Sequence, residues 1–178
     1  MEKTNRKRSK KNKNSWFLFL EALTGLGCQY ELVEGTKLIR FVYEDKKFRA
    51  YCDYESEIDW DTISIFYFYH LFSYPEGFAE EYSWITGATN RSNASCNVTT
   101  YYNLYDDDDK DKGYLGSKAV LNYISRIPDL KLYLKKLLDE FSTAQAIVED
   151  EMEKYREEKN ALNMTEYFTQ NNKEIPFN

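Results

Sequence analysis

The chain has 178 residues, 24 Lys and Arg against 30 Asp and Glu, a net charge of −6, one His and three Cys. This length suits one domain with tails, and a content of 42% hydrophobic and 17% aromatic residues speaks against a disordered chain, because large rings need burial. One histidine and three dispersed cysteines lack the ligand spacing of a zinc site, and an acidic body disfavours nucleic acid and anionic membranes as general partners.

Residues 1–14 are polar and basic, with Lys3, Arg6, Lys7, Arg8, Lys10, Lys11 and Lys13 against Glu2. They read as a disordered arm, and nucleic acid is expected to make contact through residues 1–13 if at all. Ser15 caps a first helix over Trp16–Leu26, with Phe17, Leu20 and Leu23 or Thr24 on its inner face and Gly25 and Gly27 at its end. The apolar run Trp16–Leu20 is short and Glu21 interrupts it, so neither a signal peptide nor a membrane span is expected. The sequons at Asn90, Asn93, Asn97 and Asn163 carry little weight without a secretion signal.

Tyr30–Val33 and Leu38–Tyr43 read as strands around the turn Glu34-Gly35-Thr36, with Ile39, Phe41 and Tyr43 on one face. Glu44-Asp45-Lys46-Lys47 is a charged turn. Phe48, Ala50, Cys52 and Tyr54 then alternate with Arg49, Tyr51 and Asp53, the period of a strand. Ile63–Tyr69 is apolar on both faces, which predicts a central strand covered on both sides. Ser73-Tyr74-Pro75-Glu76 opens a second helix with Phe78, Tyr82 and Ile85 inward, ending near Gly87, with a polar turn at Asn90–Asn93. Val98–Tyr105 and Tyr114–Ile124 are further strands, joined by the charged loop Asp106–Gly113. Pro128 opens a long helix whose seam is Leu130, Leu134, Leu137, Phe141, Ala144 and Val148. Beyond Glu149 the pattern becomes charged and the helix is expected to project, with residues 161–178 as a loosely ordered tail.

Three groups invite a chemical reading. His70 has no nucleophile near it in sequence, so it reads as a strand-end histidine rather than a general base. Asp53, Glu55, Glu57, Asp59 and Asp61 would share a face if extended and attract a cation or basic partner, but their mutual repulsion favours a solvated connection. The Asp106–Gly113 loop has no register with glycine at the sixth position and glutamate at the twelfth of a calcium loop. Cys28, Cys52 and Cys96 form no Cys-x-x-Cys pair and read as reduced thiols of a cytoplasmic protein.

Leu23-Thr-Gly-Leu-Gly27-Cys-Gln-Tyr30, Ile39-Arg-Phe-Val-Tyr-Glu-Asp-Lys-Lys-Phe48, Ala88-Thr-Asn-Arg-Ser-Asn93 and the Leu130–Val148 helix occur in an element order that resembles the type III secretion chaperone-like fold, in particular the YbjN-type family, over about residues 16–150. The basic arm, the Asp-rich loop and the charged C-terminal extension depart from that family. The resemblance implies a compact domain, often dimeric, that binds protein segments or regulates, and it supplies no catalytic residues.

The sequence therefore predicts an α+β fold, an antiparallel sheet of about five to six strands in the order α-β-β-β-β-α-β-β-α, ending in a long amphipathic helix. A single domain over residues 15–160 is expected. The expected function is non-enzymatic protein binding or regulation, through a partner chain or a homodimer, at the sheet face or a strand edge, with no cofactor and no metal; the alternative is a nucleic-acid-associated regulator that works through the basic N-terminal arm. The candidate contact residues are Tyr51, Trp60, Tyr101, Met152 and Tyr155.

Overall fold

The computed structural model describes residues 15–52, 62–73, 78–103 and 112–171 of the chain. The elements are α1 (Ser15–Gly25), β1 (Gln29–Leu32), β2 (Leu38–Tyr43), β3 (Lys46–Cys52), β4 (Thr62–Ser73), α2 (Phe78–Ser95), β5 (Thr99–Asn103), β6 (Lys112–Asn122), a short 3-10 turn at Ile124–Arg126, and α3 (Leu130–Asn171). The fold is α+β, and the strands form a six-stranded antiparallel sheet in the order β1-β2-β3-β4-β6-β5. The basic arm, the Asp53–Asp61 acids, Trp60 and the Asp106–Asp111 run lie outside the described residues.

In α1 the inner face is Phe19, Ala22 and Leu23, whereas Phe17 is 54% exposed. This corrects the stripe expected through Phe17 and Leu20: Trp16–Leu20 is apolar all round, so helical spacing alone cannot say which side turns inward. The helix closes as the spacing of glycines predicts. Gly27 has φ +76°, Cys28 N–H donates to Leu23 O at 3.0 Å, and Gly27 N–H donates to Thr24 O at 3.0 Å, the paired bonds of a Schellman end.

The charged turn after β2 is shorter than expected. Glu44 and Asp45 alone form it, with φ of 46° and 64°, and Tyr43 pairs with Lys46 across it. Two successive positive φ values match the twist of the flanking strands. Lys46 and Lys47 therefore belong to β3.

The second helix differs more. It passes through Gly87 and through Asn90–Asn93, the expected turn, and ends at Ser95. Its polar residues there bond to the neighbouring strand: Asn93 Oδ1 accepts the Thr100 N–H at 2.6 Å and Asn93 Nδ2 donates to Thr100 O at 3.0 Å. α3 begins at Leu130, two residues beyond the Pro128 expected to open it, and Asp129 is its cap, accepting the Leu132 N–H on its carboxylate at 3.0 Å. The helix continues to Asn171, into the stretch read from sequence as a loose tail; residues 172–178 lie outside the described residues.

The chain divides into two compact units. One comprises the described residues up to Phe68 with Lys118–Asp139. Its core joins α1 (Phe19, Leu23) to β2, β3 and β4 (Ile39, Phe41, Phe48, Ala50, Ile63, Ile65) and to α3 (Leu134, Leu138). A row of rings runs through it: Phe19 meets Phe41 edge-on at 6.2 Å, Phe41 stacks on Phe48 at 5.1 Å, and Phe48 stacks on Tyr67 at 4.8 Å. The other comprises Tyr69–Ser117 with the described residues from Glu140 onward. Its core is Ile85, Ala88, Leu115 and Val148, with Trp84, Tyr102 and Met152 packed against it.

Candidate functional site

In the first unit the pleat sorts side chains onto two faces. Ile39, Phe41, Tyr43, Phe48, Ala50, Ile63, Ile65 and Tyr67 turn to the core. The alternate positions, Arg40, Val42, Lys47, Arg49, Tyr51, Ser64, Phe66 and Phe68, with Lys118 and Val120 of β6, turn away from it. β4 sits inside the sheet as its apolar run predicts, but among the described residues it is covered on one side only: Phe68 is 36% and Tyr51 40% exposed. The rings on the open side explain the apolar run. They stabilise one another laterally, Tyr51 edge-on to Phe66 at 5.6 Å and Phe66 parallel to Phe68 at 6.3 Å.

Cations stand among these rings. The Arg49 guanidinium lies 5.4 Å from the Phe68 ring centre and Lys118 Nζ 5.9 Å from that of Phe66. Arg40 and Arg49 are direct cross-strand partners. Like charges placed so oppose pairing, and Glu31, the cross-strand partner of Arg40 on β1, offsets this with a 3.1 Å ion pair. A cavity of about 630 Å³ opens here, lined by Gln29, Glu31, Arg40, Lys47, Arg49 and Phe68 among others.

The second feature is the β1 edge. β1 ends the sheet order and all four of its residues are exposed, Tyr30 at 40% and Leu32 at 53%. Val33 N–H donates to Leu38 O at 3.0 Å, which sets the phase of the ladder. Residues 29, 31 and 33 turn their backbone groups to β2, so Tyr30 and Leu32 turn theirs outward.

A third cluster lies at the other face of this unit. Tyr43 donates to Asp139 at 2.8 Å and Lys135 donates to Asp139 at 2.7 Å, beside a smaller cavity lined by Cys28, Tyr43, Glu44 and Lys135. Burial, then the hydrogen bond to Asp139, pushes the Tyr43 phenol up to about 12. Burial also raises the Cys28 thiol, so its reactive thiolate is disfavoured.

Of the residues expected to meet a partner, Trp60 lies outside the described residues, and the others fall in both units. Tyr51 lies on the open face. Tyr101 is half-buried on β5, edge-on to Tyr114 at 6.2 Å. Met152 packs on the core of the second unit, and Tyr155 stacks on Trp84 at 5.4 Å. The α3 segment after Glu149 thus packs on α2 through Tyr155 rather than projecting at once, because Trp84 Nε1 donates to Glu151 O at 2.8 Å and Arg91 pairs with the Glu151 carboxylate at 2.7 Å. His70 lies within β4. The sequence reading missed Arg40, Arg49, Phe66, Phe68 and Lys118 as one surface. Their strand alternation was legible, but the absence of cover on that side was not.

Among the described residues no group of His, Cys, Asp and Glu is placed to hold a metal ion, and no helix is long and apolar enough to cross a membrane. Comparison with protein-family models, curated proteins and solved structures gives no match to this chain.

Proposed function

We propose that this chain is a non-enzymatic, cytoplasmic protein-binding or regulatory module of the YbjN-type, type III secretion chaperone-like class, which captures an extended segment of a protein partner or of a second copy by strand addition at β1. The observation that carries this is the exposed edge. Tyr30 and Leu32 direct backbone donors and acceptors outward, with 40% and 53% exposed side chains beside them, the combination that strand addition uses for affinity and for choice of segment. Cys28 and Cys96, both free thiols, accord with a reducing compartment.

Leu32→Pro tests it, since proline deletes an outward N–H and leaves the bonds to β2 in place. Light scattering should show the full-length protein as a dimer or in complex with captured protein, and the variant as a free monomer. A strict monomer that captures nothing, or a complex indifferent to Leu32→Pro and Tyr30→Lys, sinks the reading.

A further inference from the structure

We propose that the open face of the sheet is a binding site for single-stranded nucleic acid, separate from the β1 edge and independent of the function argued for it. Single strands are held by two things together: cations that track phosphates and rings on which bases stack. Arg40, Lys47, Arg49 and Lys118 supply the first and the exposed Tyr51 and Phe68 with the half-buried Phe66 the second, on one face with Glu31 as the carboxylate that pairs Arg40. The interleaving is close: each of the two phenylalanine rings has a cation within 6 Å of its centre, at 5.4 and 5.9 Å.

The direct pairing of Arg40 with Arg49 is a separate observation. The guanidinium groups part, Arg40 to Glu31 on β1 and Arg49 to the Phe68 ring on β4, yet two cationic residues opposite each other breach a local rule of strand pairing, and such a breach is expected where a ligand uses the charges. The chain's net charge of −6 does not decide against this. At about 0.1 M salt, charges more than about 10 Å away are largely screened, so the cations of the face dominate what a bound phosphate feels. An acidic protein segment would match the cations alone, whereas a single strand offers phosphates to the cations and bases to the rings, which favours the nucleic acid. The rings sit on β-strands rather than on loops, so the platform is built before the ligand arrives.

The test is fluorescence anisotropy of the full-length protein with labelled oligothymidylate, an abasic oligomer of equal length, and an oligoglutamate peptide. Oligothymidylate should bind with a log–log salt slope of about −2 to −3, as expected if all four cations meet phosphates at about 0.7 each. Phe66→Ala and Phe68→Ala should each weaken binding by roughly tenfold, the loss of one stacked base. Arg49→Gln should flatten the slope by about 0.7 and leave the unfolding midpoint near the wild-type value, since the cation–π contact it loses with Phe68 is offset by the like charge it removes opposite Arg40; this separates lost binding from lost folding. Four outcomes overturn the proposal: no binding of oligothymidylate; equal binding of the abasic oligomer; preference for oligoglutamate; or binding that ignores the ring variants and vanishes when residues 1–13 are deleted.

Discussion

Tyr43, Asp139 and Lys135 show how side chains distant in sequence become one unit. The Tyr43 phenol ordinarily titrates at 10.0 and is pushed up to about 12 by burial and the Asp139 carboxylate. A raised acid pKa means that the folded state keeps its proton longer than the unfolded chain, so this group's contribution is whole below pH 10.0 and is lost as pH rises towards about 12. Urea unfolding of wild type and Tyr43→Phe should therefore differ by about 0.5–1.5 kcal/mol at neutral pH, one hydrogen bond, with the gap closing across that alkaline window. Burial pushes the Asp139 carboxyl up, but the hydrogen bonds from Lys135 and Tyr43 and the Lys135 charge outweigh it and hold it below its usual range. Its contribution is present above the ordinary carboxylate range and is lost as pH falls through the lowered value, so Asp139→Asn should flatten the acid limb. A second case is the buried hydroxyl chain Ser92–Thr100–Ser117, with oxygens 2.7 and 3.1 Å apart. Thr100→Val removes a partner from both serines, leaving Ser92 its longer 3.4 Å bond to Ala144 O, and should cost about 1–3 kcal/mol in urea unfolding, more than Ser92→Ala, which leaves Thr100 bonded to Ser117. Neither cluster was legible in the sequence. Ser92 falls there in a polar turn and Asp139 carries no signal of its own, because each owes its role to a partner on another element.

At the scale of elements, period decides what can be read. β2 and β3 alternate strictly, and Ile39, Phe41, Phe48 and Ala50 are buried as that alternation predicts. The α3 seam likewise carries through, with Leu134, Leu137, Phe141, Ala144 and Val148 all buried. Local chemistry that a tertiary contact overrides cannot be read this way. Gly87 and Asn90–Asn93 favour a break, yet α2 runs on because Asn93 and Ser92 find their partners on Thr100. Gly87 sits mid-helix with open space at its Cβ position, so Gly87→Ala should stabilise by roughly 0.5–1 kcal/mol and raise Tm by a few degrees. The Glu44-Asp45 turn holds two non-glycine residues at positive φ. Glu44→Asn with Asp45→Gly fits that backbone and should raise the unfolding free energy by about 1 kcal/mol or more.

At the scale of the whole chain, the long helix and the open sheet face carry the consequences. Val148 is fully buried, and Met152 and Tyr155 pack onto α2 residues of their own unit, so a chain ending at Ile147 should lose roughly 3–6 kcal/mol by denaturant unfolding, two or more buried side chains' worth. A chain in which only Arg156–Glu158 are replaced by alanine should unfold at the wild-type midpoint, since these residues are exposed. The sequence alone determined the α+β class, the order of the elements and the inward faces of β2, β3 and the long helix, because hydrophobic period reports which side of an element meets a core. Only the tertiary structure decided which side of α1 turns inward, that α2 continues through its polar stretch, and that β4 has rings on a face without a helix over it among the described residues. Those are questions of what lies opposite a side chain, and an apolar residue facing a partner's binding site carries the same symbol in the sequence as one facing the core. The arrangement of Arg49, Phe66, Phe68 and Lys118 into one surface is of that kind, set by register between strands rather than by any motif along one of them.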